Sequence, residues 1–576
     1  MKAPLFLALV ITSFGQLVAE PNGVVKFPAV TPTVGELKQD SSTGVSFHTS
    51  NSQLQHLFDI AEAKEAGNIH PFTPTMKILV EGGGYENAWI ETQAMGGEMY
   101  AKRNVEVALN NQLIFINCQR ADGRMPGVVA SGQPPRPAYK TLQGYCFPDP
   151  AWKMYFWGGK DRDYLQKLYG ALKAYDDYLW RTRDSNGDGL LESYCLTDTG
   201  EDGSSRLLTR GAPFHWPFDF PPGDSRAPSP LDSIVFHQFW RVPKNVPPHP
   251  LDEILVPFAS MDLMAYSYDG RATLAKIAHE LGNGREDFWK QQAEDVRQRL
   301  IKGLWLPERH ACFDHDRNGK TMPELIHNNL RAMYHGMFTQ EMADAFVRYH
   351  LLNPAEFWTP MPLTSIAIND PLYRAGANDW SGQPQGLTYQ RAIRALNNYG
   401  HFAEVTLLGR KLIAALNKGG RFPQQFDPYT GVADNEHGDG YGPTLLSMME
   451  YCSLMNGISL DVEHDQVWWS GLADGGEDFT YTQRWNDQTW TLTQKGGTFT
   501  ARVNHRDVFS CTAGVRVVTK RDGTVQEVVG IDPAQKQVTL RAGNREYKLT
   551  VTANQVYGLD GKLRRASPFD YPYHER

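Results

Sequence analysis

Apolar residues recur with a helical period through most of the chain. Between residues 50 and 458 they stand three and four positions apart, the spacing that places one face of a helix against a core. Several of these helices are joined by short turns such as Asn398-Tyr399-Gly400, so we expect repeated helical hairpins. The predicted helices are 50–66, 89–119, 162–181, 253–281, 285–303, 339–350, 384–397, 401–417 and 443–457.

The pattern changes after about residue 465, where apolar and polar residues alternate with a period of two. Segments such as Phe499-Thr-Ala-Arg-Val503 are typical of strands that bury one face. We therefore expect a helical domain over residues 50–462 and a small all-β domain over residues 463–576. Residues 20–49 are interpreted as an N-terminal leader segment or an early strand.

Three polar, Gly- and Pro-rich connections in the helical part are much longer than ordinary loops. They span residues 120–147, 196–250 and 353–383. Loops of that length in a compact domain are usually functional or disordered. They are the first places to look for binding side chains.

The first residues have the features of a secretory signal sequence. Lys2 precedes an apolar run from Ala3 to Ala19, which ends before Glu20-Pro21. We expect cleavage near residue 19 and a secreted or periplasmic protein, with an uncleaved anchor as the alternative. No later stretch reaches about 18 uninterrupted apolar residues, so no membrane contact is expected after cleavage.

Composition narrows the classes of function. The 57 basic and 65 acidic residues leave a net charge of −8, and 41% of the chain is hydrophobic, which excludes disordered and nucleic-acid-coating proteins. Aromatic residues make up 11% of the chain, a fraction that suits a cleft in which rings stack on sugars. The six cysteines form no CxxC pair, so no zinc site is expected, while one or two disulfides remain open.

One segment carries candidate catalytic chemistry. Asp198-Thr-Gly-Glu-Asp-Gly-Ser-Ser-Arg206 resembles the Glu-Ser-Gly-x-Asp-x-Ser-x-Arg signature of the six-hairpin glycosidases. These comprise the trehalases of family 37 and, in family 63, processing α-glucosidases and mannosylglycerate hydrolase-like enzymes. The resemblance implies that Asp202 is the general acid and that Arg206 positions the sugar. A protonated carboxyl must lie against the glycosidic oxygen in such enzymes.

Other segments follow in the order of the same family. Gly83-Gly-Tyr85-Glu-Asn-Ala-Trp89-Ile-Glu91 resembles a substrate-binding stretch of trehalases, with Glu91 in the place of an aspartate. The helix containing Asp262 and the segment Asp379-Trp380-Ser-Gly-Gln-Pro384 also have counterparts. The resemblance implies sugar contacts for the residues Tyr85, Trp89, Glu91, Asp262 and Trp380. Without the resemblance, these segments would be interpreted as turns and core positions.

The resemblance weakens at the general base. Phe422-Pro-Gln424-Gln-Phe-Asp427-Pro-Tyr-Thr-Gly431 is similar to the clan's Glu-x-Tyr-(Asn/Asp)-Pro-x-Thr-Gly stretch, but Gln424 stands where that stretch has its glutamate. An amide does not take a proton from water at neutral pH. We expect a nearby carboxylate, Glu436, to act as the base and Gln424 to contact the substrate.

The resemblance implies an (α/α)6 toroid with a C-terminal β domain that trehalases lack. It also implies an exported, inverting glycoside hydrolase acting on an α-linked di- or oligosaccharide. Gln424 leaves two alternatives open: an inverting disaccharide phosphorylase, in which phosphate is the nucleophile, and a non-catalytic glycan-binding protein.

No cofactor is expected, although one segment imitates a calcium loop. Asp184-Ser-Asn186-Gly-Asp188-Gly189 offers oxygens at alternate positions. An EF-hand needs a glutamate at its twelfth position, where this chain has Cys195. A plain turn is therefore the main interpretation and calcium the alternative.

Overall fold

The computed structural model describes the chain from the end of the N-terminal segment almost to the C-terminus. The described residues are 43–215, 256–375, 380–433, 438–472 and 476–574, together with the backbone of Val18–Ala19 and Val25–Lys26. Residues 1–17 of the predicted signal sequence therefore lie outside them. Within these ranges, no helix has the length and apolar character needed to cross a membrane.

The helical domain consists of hairpins, as the periodicity predicts. Its helices are α1 (Ser52–Gly67), α2 (Gln93–Tyr100), α3 (Val105–Asn117), α4 (Pro148–Trp157), α5 (Arg162–Thr182), α6 (Ser205–Leu208), α7 (Met261–Leu281), α8 (Glu286–Gly303), α9 (Asn328–Tyr334), α10 (Gln340–Phe346), α11 (Gly386–Asn398), α12 (Phe402–Gly419) and α13 (Gly442–Asn456). Short 3₁₀ turns occur at Leu196–Asp198 and Pro307–Arg309, and α10 continues into a π-helical turn at Val347–Leu351.

Six of these helices form an inner ring. Helix α2 packs on α4, α4 on α7, α7 on α9, α9 on α11, α11 on α13, and α13 packs back on α2. Helices α1, α3, α5, α8, α10 and α12 alternate with the inner ones along the chain. The predicted (α/α)6 toroid is therefore confirmed.

Local sequence explains where several helices begin and end. The side chain of Asp161 accepts hydrogen bonds from the backbone N–H groups of Asp163 and Tyr164, which caps the start of α5. Asn104 caps α3 in the same way, and this cap divides the predicted helix 89–119 into α2 and α3. Helix α7 is capped at its C-terminal end by Gly282, whose φ of 64° is a backbone conformation that glycine adopts without strain.

The C-terminal domain contains two antiparallel sheets. The six-stranded sheet has the order Gly457–Asp461, Gln466–Gly471, Val515–Lys520, Val525–Gly530, Gln555–Gly558 and Leu563–Ala566. The seven-stranded sheet has the order Arg545–Val551, Lys536–Ala542, Arg506–Thr512, Thr498–Val503, Gln488–Lys495, Phe479–Trp485 and Thr43–Thr49.

The two sheets pack face to face through aromatic side chains, with the ring centroids of Trp469 and Phe509 5.8 Å apart. Residues 43–49, part of the segment interpreted as a leader, form an edge strand of the second sheet in register with Phe479–Trp485. The β domain thus begins at Gly457 and also takes in a strand from before the helical domain.

Short strand pairs also occur outside the two large sheets. They are Val18–Ala19 with Val25–Lys26, Ile69–Thr73 with Met76–Leu79, Ala88–Trp89 with Val128–Ala130 and Arg136–Ala138, Glu192–Ser193 with Phe258–Ala259, and Trp305–Leu306 with Ala311–Cys312. All six cysteines lie in the described ranges as buried thiols without a disulfide partner.

Candidate active site

The loops that lead into the inner helices meet at one end of the toroid. Asp262, in the first turn of α7, accepts a hydrogen bond of 2.8 Å from Asn328, the first residue of α9. Tyr441, directly before α13, donates to Glu81 in the loop before α2 (2.9 Å). These contacts place the N-terminal ends of the inner helices together, where their partial positive charge favours carboxylates.

Asp202 has the environment of a general acid. Its carboxyl is partly buried, and its Oδ1 is buried with no hydrogen-bond partner among the described residues. Burial and the negative charge of Glu91 raise the pKa of Asp202 to about 7, against the opposing charge of Arg331. A carboxyl that keeps its proton near neutral pH and has a free oxygen can donate to a leaving group.

Glu91 lies beside Asp202 as an ion-paired carboxylate. Its Oε1 accepts a hydrogen bond of 2.9 Å from Arg391 of α11, and its Oε2 accepts one of 3.3 Å from Gln143. Gly200 packs directly on this carboxylate, because a Cβ there would lie 2.3 Å from Oε1, and its φ of 70° also favours glycine. The glycine of the 198–206 segment therefore lets the Asp202 loop approach Glu91.

Two tyrosines hold the opposite side of the cleft. The hydroxyl of Tyr85 donates to Oε1 of Gln424 at 3.0 Å, and its ring meets that of Tyr441 edge to face. Burial, with the charges of Glu81 and Asp202, raises the pKa of Tyr85. The structure therefore places Gln424 in a hydrogen bond with Tyr85 and places Tyr85 close enough to Asp202 for the carboxylate charge to affect its pKa.

Glu81 is a carboxyl of this cleft that the sequence analysis missed. It is 7% exposed. Burial raises its pKa to about 8, the hydrogen bond from Tyr441 opposes this, and the charges of Glu91 and Asp202 add to it. The sequence feature that could have identified Glu81 is its position directly before the glycine run 82–84. These glycines allow the chain to lie close to the loop before α13.

Arg206 does not contact the cleft, contrary to the expectation from the resemblance. Its guanidinium is 1% exposed and donates to Glu201 (2.7 and 2.8 Å) and to Asp314 (2.9 Å). All three side chains are buried, so the arginine is held inside the protein. Arg206 is therefore a positioning residue of the Asp202 loop.

Asp262 is also buried away from solvent. It is 0% exposed, and its Oδ2 accepts from Asn328 (2.8 Å) and Arg331 (3.1 Å). Asn328 in turn donates to Glu201 at 3.0 Å, which links Asp262 to the Asp202 loop. Burial raises the pKa of Asp262 to about 7, against the charge of Arg331. The expected sugar contact is thus part of the network that supports the loop.

The two predicted tryptophans flank the carboxyls. Trp89 is partly exposed, and its Nε1 is buried with no hydrogen-bond partner among the described residues. Trp380 is 5% exposed, and its backbone N–H donates to the carbonyl of Asp202 at 3.2 Å. Arg331 lies over its ring at 5.0 Å, and His327 meets it edge to face. Trp380 therefore helps to hold the Asp202 loop in place.

Two further predictions concern the residue Glu436 and the turn at 184–189. Glu436, the expected base, lies outside the described residues, as does Asp379. The turn at 184–189 uses its own oxygens, because Asp184, Asn186 and Asp188 accept backbone N–H groups. Among the described residues there is no group of three or more His, Cys, Asp or Glu side chains arranged to hold a metal ion.

A six-hairpin toroid whose inner helices converge on buried carboxyls and tryptophans defines a glycoside hydrolase of the six-hairpin class. The chain belongs to the family described as the mannosylglycerate hydrolase MGH1-like glycoside hydrolase domain. The family model matches residues 88–444, more than half of the chain.

Known proteins agree with this assignment. A mannosylglycerate hydrolase of Rubrobacter radiotolerans is 25% identical over 302 residues, covering 50% of this chain and 66% of that protein, just under two thirds of its length. The family 63 mannosylglycerate hydrolase of Thermus thermophilus, solved with glucose, aligns with a TM-score of 0.53 and 17% identity, covering 69% of this chain and 99% of its own.

A solved structure described as a sialidase aligns with a TM-score of 0.57 and 12% identity over 82% of this chain and 41% of its own. At these identities, the structural similarities show the fold. The family match gives the chain's membership of a glycoside hydrolase family.

Proposed function

We propose that the protein hydrolyses an α-linked glycoside with inversion of the anomeric configuration and that Asp202 is the general acid. The observation that carries this proposal is the carboxyl of Asp202 beside Glu91 and Trp380, whose Oδ1 is buried with no hydrogen-bond partner among the described residues and whose pKa burial raises to about 7. In the proposed step, Asp202 gives its proton to the glycosidic oxygen as the bond from that oxygen to the anomeric carbon breaks.

The attacking water needs a base, and Glu81 supplies the carboxylate that Gln424 lacks. Tyr441 donates a hydrogen bond to Oε1 of Glu81, which favours its ionised form, but burial still holds the pKa of Glu81 at about 8, above the value of about 7 for Asp202. The reactive state is therefore the singly protonated form of the pair in which the proton lies on Asp202. Water attacks the anomeric carbon from the face opposite the leaving group and loses its proton to Glu81. Gln424, held by Tyr85, keeps its amide N–H groups for the water or a sugar hydroxyl.

The substrate class follows from the relatives and from the lining of the site. Two relatives are named mannosylglycerate hydrolases, so an α-glycoside of a small acid belongs in the substrate panel beside α-linked disaccharides. We place Trp89, with its free indole N–H, and Glu91 at the sugar. The apolar N-terminal run supports export, and N-terminal sequencing of the secreted protein tests it.

The test combines a substrate panel with a matched pair of variants. We expect Asp202→Asn to lower kcat for glycosides with alcohol leaving groups by about 10²–10⁴-fold. Glycosyl fluorides, whose leaving group needs no proton, should lose far less. The control is Asp427→Asn, since Asp427 lies in an exposed turn where its oxygen accepts from Thr430. NMR of the first-released anomer reports inversion, and intact hydrolysis of alcohol glycosides by Asp202→Asn would refute the role.

Gln424 favours one further candidate, inverting phosphorolysis. Phosphate as nucleophile needs no protein base, so a glutamine at this position would suffice. Release of a sugar 1-phosphate that depends on added phosphate would support phosphorolysis. Saccharide binding without any turnover, unchanged by Asp202→Asn, would instead indicate a glycan-binding protein.

A further inference from the structure

A second chamber lies at the opposite end of the toroid from the candidate active site. It is a cavity of about 740 Å³ between the inner helices and the β domain. Helices α2, α7 and α11 line it on one side, and residues 459–464 with Trp468 line it on the other. Its volume falls within the range of about 300–1,000 Å³ found for small-molecule sites.

The inner helices turn polar faces toward this chamber. On α11, Gln390, Arg394 and Asn397 stand at positions i, i+4 and i+7 and all line it. Glu98, near the end of α2, and Lys102, just after it, also line the chamber. A helix interior to a domain ordinarily buries apolar side chains, because a polar group without a partner costs free energy. This arrangement therefore indicates a site built for a polar occupant.

Several of these groups have hydrogen-bonding capacity that the protein does not use. Oε1 of Gln390, a side chain 1% exposed, and Oδ1 of Asn397 are buried without a partner among the described residues. Glu98 has only the indole N–H of Trp157 as a donor, at 3.4 Å, and burial raises its pKa. These oxygens offer acceptors to hydroxyl donors in the chamber.

Three lysines of the wall are already paired with carboxylates. Lys102 binds Glu450 at 2.6 Å, Lys276 binds Glu463 at 2.9 Å, and Lys153 binds Asp149 at 3.2 Å. Such a wall favours a neutral ligand over an anion or a metal cation. Trp468, a partly buried ring backed by Arg516 at 4.7 Å, adds an aromatic surface at the side of the β domain.

We propose that this chamber is a second, non-catalytic binding site for a neutral mono- or disaccharide. Sugar hydroxyls donate to free amide and carboxyl oxygens such as those of the wall, and the aromatic face of Trp468 packs on the C–H surface of a sugar. The proposal goes beyond the proposed hydrolysis and does not depend on it.

The test fills the chamber without removing a polar contact. Ala272 of α7 lines it, so Ala272→Trp should block it, and Ala272→Ser is the matched control that leaves the space open. Isothermal titration and ligand-observed NMR with D-glucose, D-mannose, trehalose and maltose measure binding. We expect millimolar affinity that falls at least tenfold in Ala272→Trp and stays within about twofold in Ala272→Ser and Asp202→Asn.

Turnover separates this proposal from the proposed function. Initial rates of glycoside hydrolysis report the cleft, and we expect them to be unchanged in Ala272→Trp. If Ala272→Trp does not fold, Asn397→Leu removes the free amide oxygen while keeping the number and branching of the side-chain heavy atoms, and it should weaken binding in the same way. Saccharide binding that is equal in the wild type and the chamber variants, or no binding by the wild type, would overturn the proposal.

Discussion

The two carboxyls of the proposed mechanism titrate in a range that makes the reaction strongly dependent on pH. Burial is the main reason why the pKa of Asp202 is raised to about 7 and that of Glu81 to about 8. Because the two groups interact, these values belong to the pair rather than to either residue. Hydrolysis needs one of them protonated and the other ionised, so kcat/KM should rise as the pH passes about 7 and fall as it passes about 8.

Between about pH 5 and 9, the acidic limb of this profile gives a larger change in kcat/KM than the alkaline limb. At about pH 5, two units below the lower pKa, about one molecule in 100 carries the ionised carboxylate, so kcat/KM should fall by nearly that factor. Two carboxyls with ordinary pKa values near 4 would instead make activity fall by about tenfold per pH unit between pH 5 and 7, because the protonated acid is lost. Initial rates from about pH 5 to 9 at low substrate concentration distinguish the two cases.

The variant Glu81→Gln tests which group forms this limb. The amide oxygen still accepts from Tyr441, so the loop should keep its structure, while loss of the base lowers kcat by about 10²–10⁴-fold. Adding Gln424→Glu places a carboxylate 3.0 Å from the hydroxyl of Tyr85 and should restore part of the rate. A Glu81→Gln protein with the wild-type rate and an unchanged acidic limb would refute the reasoning and favour Glu436, whose glutamine variant is the parallel control.

Three further outcomes follow from buried groups elsewhere. Arg206→Met should lower the free energy of unfolding by about 3–5 kcal/mol in urea titrations, because two buried carboxylates lose their partner. The control Arg210→Met changes a more exposed pair and should lower the free energy of unfolding by less. Burial raises the pKa of Glu65 from 4.5 to about 8, so its contribution to stability is present below about pH 4.5 and is lost as the pH rises to about 8. Glu65→Gln should therefore stabilise the protein by a few kcal/mol near pH 8 and leave it unchanged near pH 4; an equal effect at both pH values would contradict this. EDTA should leave the melting temperature unchanged, because the oxygens of the turn at 184–189 already accept backbone N–H groups, and a fall would reveal a bound cation.

Periodicity predicts the longer helices of the toroid but not all of its inner ring. Helices α5, α8 and α12 lie close to their predicted bounds because each has one polar face toward solvent. Helices α4 and α9 were missed: nearly every residue of Pro148–Trp157 and all of Asn328–Tyr334 are buried, so polar and apolar positions do not alternate with a helical period. A helix that is enclosed on all sides carries no amphipathic signal.

Long-range pairing explains the other differences. The strand Thr43–Thr49 pairs with Phe479–Trp485, more than 400 residues away, and no local pattern indicates that partner. Similarly, Glu81 becomes a site residue only because Tyr441 folds against it, and Arg206 turns inward because Glu201 and Asp314 surround it. The 198–206 segment predicts an acid at Asp202, whereas the contacts of its neighbours depend on the tertiary fold.

The glutamine at position 424 has a physical explanation in the number of carboxyls around it. Asp202, Glu81 and Glu91 already share the cleft, and the charges of Glu91 and Asp202 raise the pKa of Glu81. A glutamate at 424 would add a fourth carboxyl next to Tyr85, and like charges in a site of low polarity drive one another to protonation. A cleft of this kind can ionise only some of its carboxyls near neutral pH. If Glu81 takes the proton from water, it must be ionised. An amide at 424 keeps the hydrogen bond to Tyr85 and adds no negative charge that would raise the pKa of Glu81.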